Sequence, residues 1–278
     1  MALIKPTVYS DLVREKVTGK VKILQLAREL ENLDEFKEVG ETVTFPKWKY
    51  IGDAAELALK GKITPVEMEQ TSTTATVTHI AKGVKVFDRE NKTAIGDQLE
   101  EGADQLATSI ARKLDTDLLA ELNTNVLLKS PTVADKAITE DELIAALGLF
   151  GDDQDRENFS EGGIVINSLL MAGFYKMASF VSTQNTLSAD GNGIIKNGLF
   201  GYFLGIPVYV ADKGTLDGLE CVTYILQNNA IGYKTKKNID IEEQRVADEK
   251  ATGIFADMMY AVKLLDDSKA VIVRKTIV

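Results

Sequence analysis

Between residues 41 and 88 the chain carries a stretch that its own domain has no obvious means of burying. It runs from Glu41-Thr-Val-Thr-Phe45 through Thr71-Ser-Thr-Thr-Ala-Thr-Val-Thr78 to Lys82-Gly-Val-Lys-Val-Phe-Asp88. These segments are rich in β-branched residues, which favour extended backbone. Yet Thr71–Thr78 is polar or small at both alternating sets of positions, so a strand built from it has no apolar face to press on a core. The expected structure is a projecting β arm. An isolated hairpin is only marginally stable in water, so an arm of this length makes sense when a neighbouring chain receives it, and the sequence points to assembly.

The strongest periodic signal follows the arm. Leu99, Ala103, Leu106, Ile110, Leu114, Leu118, Leu122 and Val126 recur at steps of three and four, which keeps one apolar face over roughly eight helical turns. Asp97 is suited to the N-cap with Glu100 three residues on, and Lys129 and Pro131 mark the far end. At ~1.5 Å per residue the helix is on the order of 45–50 Å long, enough to span a subunit as a spine.

Around these two features the pattern is mixed. Residues 7 to 37 have helical character, with Ser10 as N-cap and an imperfect stripe of Leu12, Val17, Val21, Leu24 and Leu30, weakened at Gly19. The charge of this region is split, basic up to Arg28 and acidic from Glu29 to Glu41, which fits either a solvated helix or a docking arm. Beyond the spine, Glu140–Phe150 and Ser168–Phe180 read as helices, and 163–167, 206–210 and 222–226 as strands, together an inserted α/β domain. The C-terminal part returns to strands: Ile239 and Ile241 alternate with acids, and Ile254, Ala256, Met258, Tyr260, Val262 and Leu264 share one face. A turn at Asp266–Lys269 then leads into Ala270–Val273, so that these strands form one antiparallel sheet. The spine is its natural cover.

Composition excludes several classes. The formal net charge of −10 over 278 residues argues against a surface that grips nucleic acid, which needs clustered Lys and Arg; any contact with DNA is expected to be loose. The single Cys221 cannot form an internal disulfide and reads as a small core residue beside Val222 and Ile225. Met1-Ala-Leu-Ile-Lys-Pro6 is not a signal peptide. The most apolar window, 198–211, is too short and too rich in glycine to cross a membrane.

No active site emerges. His79 is the sole histidine, and a nucleophilic pair with Cys221 would need a third orienting group that the spacing does not supply. Asp152-Asp-Gln-Asp-Arg-Glu157 offers alternating oxygens, but counting from Asp153 places Asn158 and Ile164 where a calcium loop needs Gly and Glu. Gly191-Asn-Gly193 and Gly198-Leu-Phe-Gly201 are turn signals without the strand and helix of a dinucleotide fingerprint. Catalytic, cofactor-binding and metal residues are therefore expected to be absent.

The order of these parts resembles the major capsid proteins of tailed bacteriophages, the Hong Kong 97-type fold. Lys82–Asp88 followed by Gly96-Asp97 and Gln105–Asp115 looks like the family's loop end and spine start. Gly201-Tyr-Phe-Leu-Gly-Ile-Pro-Val208 looks like its axial turn, and Lys237–Glu242 with Tyr260–Leu264 like its closing sheet. The resemblance implies an α+β fold with an N-terminal arm at 1–40, an extended β loop at 41–90, a peripheral domain with the spine at 91–136, an axial domain at 137–236 and the closing peripheral sheet at 237–278. It further implies a non-enzymatic shell subunit that forms pentamers and hexamers of an icosahedral virion capsid, assembled in the host bacterial cytoplasm. Its partners would be a separate scaffolding protein, a portal and a decoration protein, with no membrane. Lys60 or Lys62 could serve the crosslinking known in part of the family, but no partner residue is identifiable. Two other readings stand beside it: an encapsulin-like nanocompartment enclosing a cargo enzyme, and a metal-dependent hydrolase using Asp152–Glu157.

Overall fold

The computed structural model describes residues 17, 21–30, 41–49, 51–52, 54, 56–57, 62–63, 65–93, 98–132, 137–182 and 198–276. The expected spine is a helix, α2 (Gln98–Asn125), entered through a short helix α1 (Asp88–Thr93). Its stripe is buried from Ala103 to Leu122, widened by Ala107, Ala111 and Leu119. Asp97, Gly191–Gly193, Lys60 and the side chains of Leu99 and Glu100 lie outside the described residues. Thr108, Thr116 and Thr124 each donate a hydroxyl hydrogen bond to the carbonyl four residues back, at 2.7, 2.6 and 2.9 Å, a habit that bends helices slightly. Lys129 does not cap the helix; it lies in strand β5 (Leu128–Lys129).

One face of α2 covers a four-stranded sheet with the order β1 (Arg28–Glu29), β12 (Ile231–Val246), β13 (Ala251–Leu264), β4 (Thr78–Phe87). Ile254, Ala256, Met258 and Tyr260 of β13 are buried against it with Leu106, Ile110 and Leu114, and the Tyr260 hydroxyl donates to Asp117 Oδ2 at 2.6 Å. The expected boundary at residue 236 falls inside β12, which runs unbroken in sequence through two register shifts. Thr78–Phe87, expected in the arm, pairs along its length with β13. Val84 and Val86 explain this, since they give the strand the apolar face that Thr71–Thr78 lacks.

The second sheet has eight strands, in the order β5, β14 (Ala270–Thr276), β11 (Glu220–Leu226), β6 (Gly163–Ile166), β9 (Ile206–Val210), β8 (Leu199–Phe203), β7 (Phe180–Ser182), with β10 (Leu216–Asp217) paired to β11. Helix α3 (Glu140–Leu147) opens with a capping box between Thr139 and Glu142. The β8–β9 turn uses Leu204 and Gly205 at φ +49° and +85°, the handedness that two-residue hairpins need. Ser168–Phe180 is not one helix. It divides into a 3-10 turn (Ser168–Leu170), a single turn α4 (Met171–Phe174) and β7, because Phe180 stacks on Phe200 at 4.8 Å and holds the chain extended beside β8. Ala270–Val273 also departs from expectation: β14 leaves the four-stranded sheet and pairs with β11. Val271, Ile272 and Val273 are consecutive and all buried, and such a run requires a sheet covered on both faces.

A separate two-stranded ribbon joins β2 (Thr42–Trp48) to β3 (Gln70–Thr76). The helix expected over 7–37 does not continue through 24–29: Val17 is helical and its carbonyl accepts from Val21 N at 3.1 Å, but Leu24–Leu26 is a 3-10 turn and Arg28–Glu29 pairs parallel with β12. The rest of that expectation lies outside the described residues.

Candidate assembly surface

The ribbon is anchored at one end and unburied at the other. In β3 only Ala75 is buried, as its polar sequence requires, but β2 supplies the missing apolar face through Val43 and Phe45. Phe45 is 0% exposed and packs with Val43, Ala75 and Ala261 of β13. Lys234 of β12 sits over its ring at 5.4 Å and donates to Thr44 O at 2.8 Å. Lys47 reaches Asp266 at 3.1 Å and Asp267 at 3.9 Å. Burial pushes the Asp266 carboxyl up, but hydrogen bonds from Ser268 and Lys47 outweigh it and hold the group below its ordinary value.

Past the Lys49–Glu69 ion pair at 2.8 Å, the ribbon's distal part turns apolar. Ile51, Leu57, Ile63, Val66 and Met68 there, and Trp48 just before the pair, are all exposed, Ile63 to 79%. Sequence reasoning emphasised the polar threonines and missed both this tip and the Phe45 anchor. The available signal was a set of large apolar residues in a segment otherwise suited to solvent.

The sheet face turned away from α2 is a second exposed region. Phe255 of β13 lies across two glycines of the sheet: a Cβ on Gly83 would fall 2.5 Å from its ring, and one on Gly253 2.9 Å away. Phe255 nevertheless remains 47% exposed, with exposed Phe87 on the same face. Close by, Asp257 accepts both Lys237 Nζ hydrogen bonds (2.9 and 2.8 Å) and contacts His79 Nε2 at 3.0 Å. Burial pushes the Asp257 carboxyl up, and the Lys237 and His79 contacts bring it below the usual value. Arg245 grips Asp88 with two bonds of 2.6 and 2.5 Å, tying the β12–β13 hairpin to the start of α1.

The candidate chemical residues are not brought together. His79 belongs to β4 and pairs with Asp257, whereas Cys221 is buried in β11 of the other sheet, its thiol pushed up by burial and by Asp212. Asp152–Glu157 is an exposed segment, and Asp153 O accepts a 2.5 Å bond from Gln227. Among the described residues no group of three or more His, Cys, Asp or Glu is placed to hold a metal ion, and no helix is long and apolar enough to cross a membrane. Lys62 is exposed.

The likenesses to known proteins agree with this emphasis on surfaces. The chain is 29% identical over 273 residues to the major capsid protein of Staphylococcus phage phiMR11, covering 97% of this chain and 93% of that one. Its fold matches the capsid of Helicobacter pylori bacteriophage KHP30 with a TM-score of 0.64 at 10% identity, over 92% of this chain and 91% of that one. It also matches a virus-like particle from Pyrococcus furiosus with a TM-score of 0.60 at 11% identity, over 98% and 100% of the two chains. The phage capsid protein family model matches residues 69–273. With all of α2 and strand β3 and most of both larger sheets inside that match, the chain belongs to the phage capsid protein family.

Proposed function

We infer that this chain is the major capsid protein of a tailed phage, a structural subunit that packs against copies of itself to close an icosahedral head around double-stranded DNA. The observation that carries the reading is the ribbon's polarity: it is pinned to its own sheet by Phe45 and presents six exposed apolar side chains at and beyond Trp48. A soluble monomer gains nothing from such a tip, whereas a tip covered by the next subunit contributes burial at ~25 cal/mol per Å². Repeated around pentamers and hexamers, contacts that are weak singly become strong together.

On this reading the fold is of the Hong Kong 97 type. The ribbon is the extended loop, α2 with the four-stranded sheet the peripheral domain, and the eight-stranded sheet the axial domain, with β14 added to the latter. The net charge of −10 suits a wall from which packed DNA slides freely. A separate scaffolding protein, a portal and a decoration protein are the expected partners, with assembly in the host cytoplasm. The likeness to the Pyrococcus particle concerns fold alone; the sequence-level match is to a phage capsid protein, which favours a head over a cargo compartment. Replacing residues 50–68 with a short Gly/Ser link tests the reading. Subunits should stay folded by circular dichroism yet form no shells by electron microscopy, and normal shells from the shortened chain would refute it.

A further inference from the structure

The chain between Val21 and Glu29 begins and ends on the half built from α2 and the four-stranded sheet and touches the eight-stranded sheet in between. Val21 is buried in the cluster that joins α2 to the four-stranded sheet. Ile23 and Leu26 are buried in a different cluster, which contains Leu118 and Leu122 of α2 together with Val222 and Tyr224 of the eight-stranded sheet. Lys22 donates from Nζ to Val210 O of β9 at 3.4 Å. At its other end the segment adds β1 to β12, and Leu30 N donates to Tyr233 O at 3.1 Å.

Little regular backbone pairing holds this segment before β1. Its 3-10 turn has two local bonds, from Leu26 N to Ile23 O at 2.9 Å and from Ala27 N to Leu24 O at 3.0 Å. Its register is fixed by Asp115, a carboxylate of α2 that is only 7% exposed. Asp115 Oδ2 accepts the Lys22 N–H at 3.1 Å and Oδ1 accepts the Ile23 N–H at 3.0 Å. A buried carboxylate is costly unless donors satisfy it. Here burial pushes the group up, and the amides of Lys22, Ile23 and Leu24 draw it part of the way back. A helix-surface acid kept for solubility would face water; this one is turned inward onto residues 93 and 92 positions away in sequence.

We propose that Asp115 is a latch that seats residues 21–29 as a strap across α2, and that the seated strap fixes α2 and its four-stranded sheet relative to the eight-stranded sheet. Asp115 acts through the strap as a positioning residue. Where this meets assembly it rests on the shell reading: a partner that unseats the strap frees the angle between the two halves.

The test uses full-length Asp115→Ala and Asp115→Asn in two measurements, neither of which needs a shell, so their failure is separable from failure of the shell reading. Amide-resolved hydrogen exchange should show Lys22 and Ile23 exchanging at least ~10-fold faster in Asp115→Ala, less so in Asp115→Asn, while β11 and β14 keep wild-type protection. Spin labels at Arg112→Cys on α2 and Tyr202→Cys on β8 should give a broader distance distribution in the same variants. Unchanged protection at Lys22 and Ile23 overturns the latch. Faster exchange with an unchanged distance distribution overturns the strap's hold on the two halves. If Asp115→Ala does not fold, Ile23→Ala removes the strap's buried side chain while leaving α2 intact; it must produce both changes, and the absence of either overturns the proposal.

Discussion

Replacing Phe45 by alanine should uncouple the ribbon from a subunit that otherwise remains folded. The ring is fully buried, yet its neighbours Val43, Ala75 and Ala261 form a cluster separate from the three larger cores. Truncating a buried phenylalanine costs about 3–5 kcal/mol. What remains to hold the ribbon is small. The Lys47 pairs with Asp266 and Asp267 are part-exposed and worth roughly 0–1 kcal/mol each, the cation–π contact of Lys234 disappears with the ring, and a two-stranded hairpin is marginal alone. The loss should therefore appear as local opening. Amides of β2 and β3 should lose protection and the ribbon should become protease-sensitive, with the main transition shifted by less than ~2 °C. Were the same energy lost from the global fold, melting would fall by roughly 6–20 °C for a chain of this size. Calorimetry and hydrogen exchange on the same sample decide the matter, and a large fall in the main transition with no selective opening of β2–β3 would refute the reasoning. Shell yield should drop with ribbon protection, since the tip is then no longer aimed.

Ile110→Asp places a charge in the contact between α2 and β13 and should cost several kcal/mol, a serious part of a total near ~5–15 kcal/mol, whereas Ser109→Asp beside it should be mild; equal melting temperatures would show that the buried face is misassigned. Lys275, 1% exposed, is paired with Glu142 at the start of α3, so Glu142→Gln should cost about 3–5 kcal/mol by stranding a buried ammonium, and Lys275→Met distinctly less because Glu142 is partly open to solvent; urea titration with the reverse order would contradict this. Asp257 titrates below its ordinary value of 3.8 in the folded protein, so its stabilising contribution is present above that pH and is lost as pH falls through the depressed value. The melting-temperature gap between the wild type and Asp257→Asn should accordingly be full at pH 6 and shrink below about pH 4, and a gap that does not change with pH would count against the pairing.

Much of the architecture could be read from periodicity, because α2 from Ala103 to Leu122 and β13 each bury one face. Ala103, Leu106, Ile110 and Leu114 could be assigned to a face without knowing what covered them, as could Ile254, Ala256, Met258 and Tyr260. Partner choice was less legible. The run Val271-Ile-Val273 fits any buried strand, and only the two covered faces of the eight-stranded sheet select its place beside Glu220–Leu226. The segment around Ile23 has a helical pattern because Val17, Val21 and Leu24 fit a 3.6 period; its bonds to Asp115 come from a residue far away in the sequence, which no local pattern reveals. The assembly surface was inferred from threonines that lack a core, and this was half of the argument. Phe45 and the apolar tip supply the rest, and their meaning depends on which residues the fold leaves in water.

The position of β14 has a consequence for when a subunit becomes competent. Residues 270–276 insert between β5 and β11, so one side of β11 stays unpaired and β5 stays detached from the eight-stranded sheet until almost all of the chain described has left the ribosome, with β5 waiting more than 140 residues for Val271 and Ile272. Pairings so distant in sequence form slowly. A nascent chain therefore cannot present a completed eight-stranded sheet to its neighbours on the same messenger, however crowded the polysome, until β14 has emerged and paired.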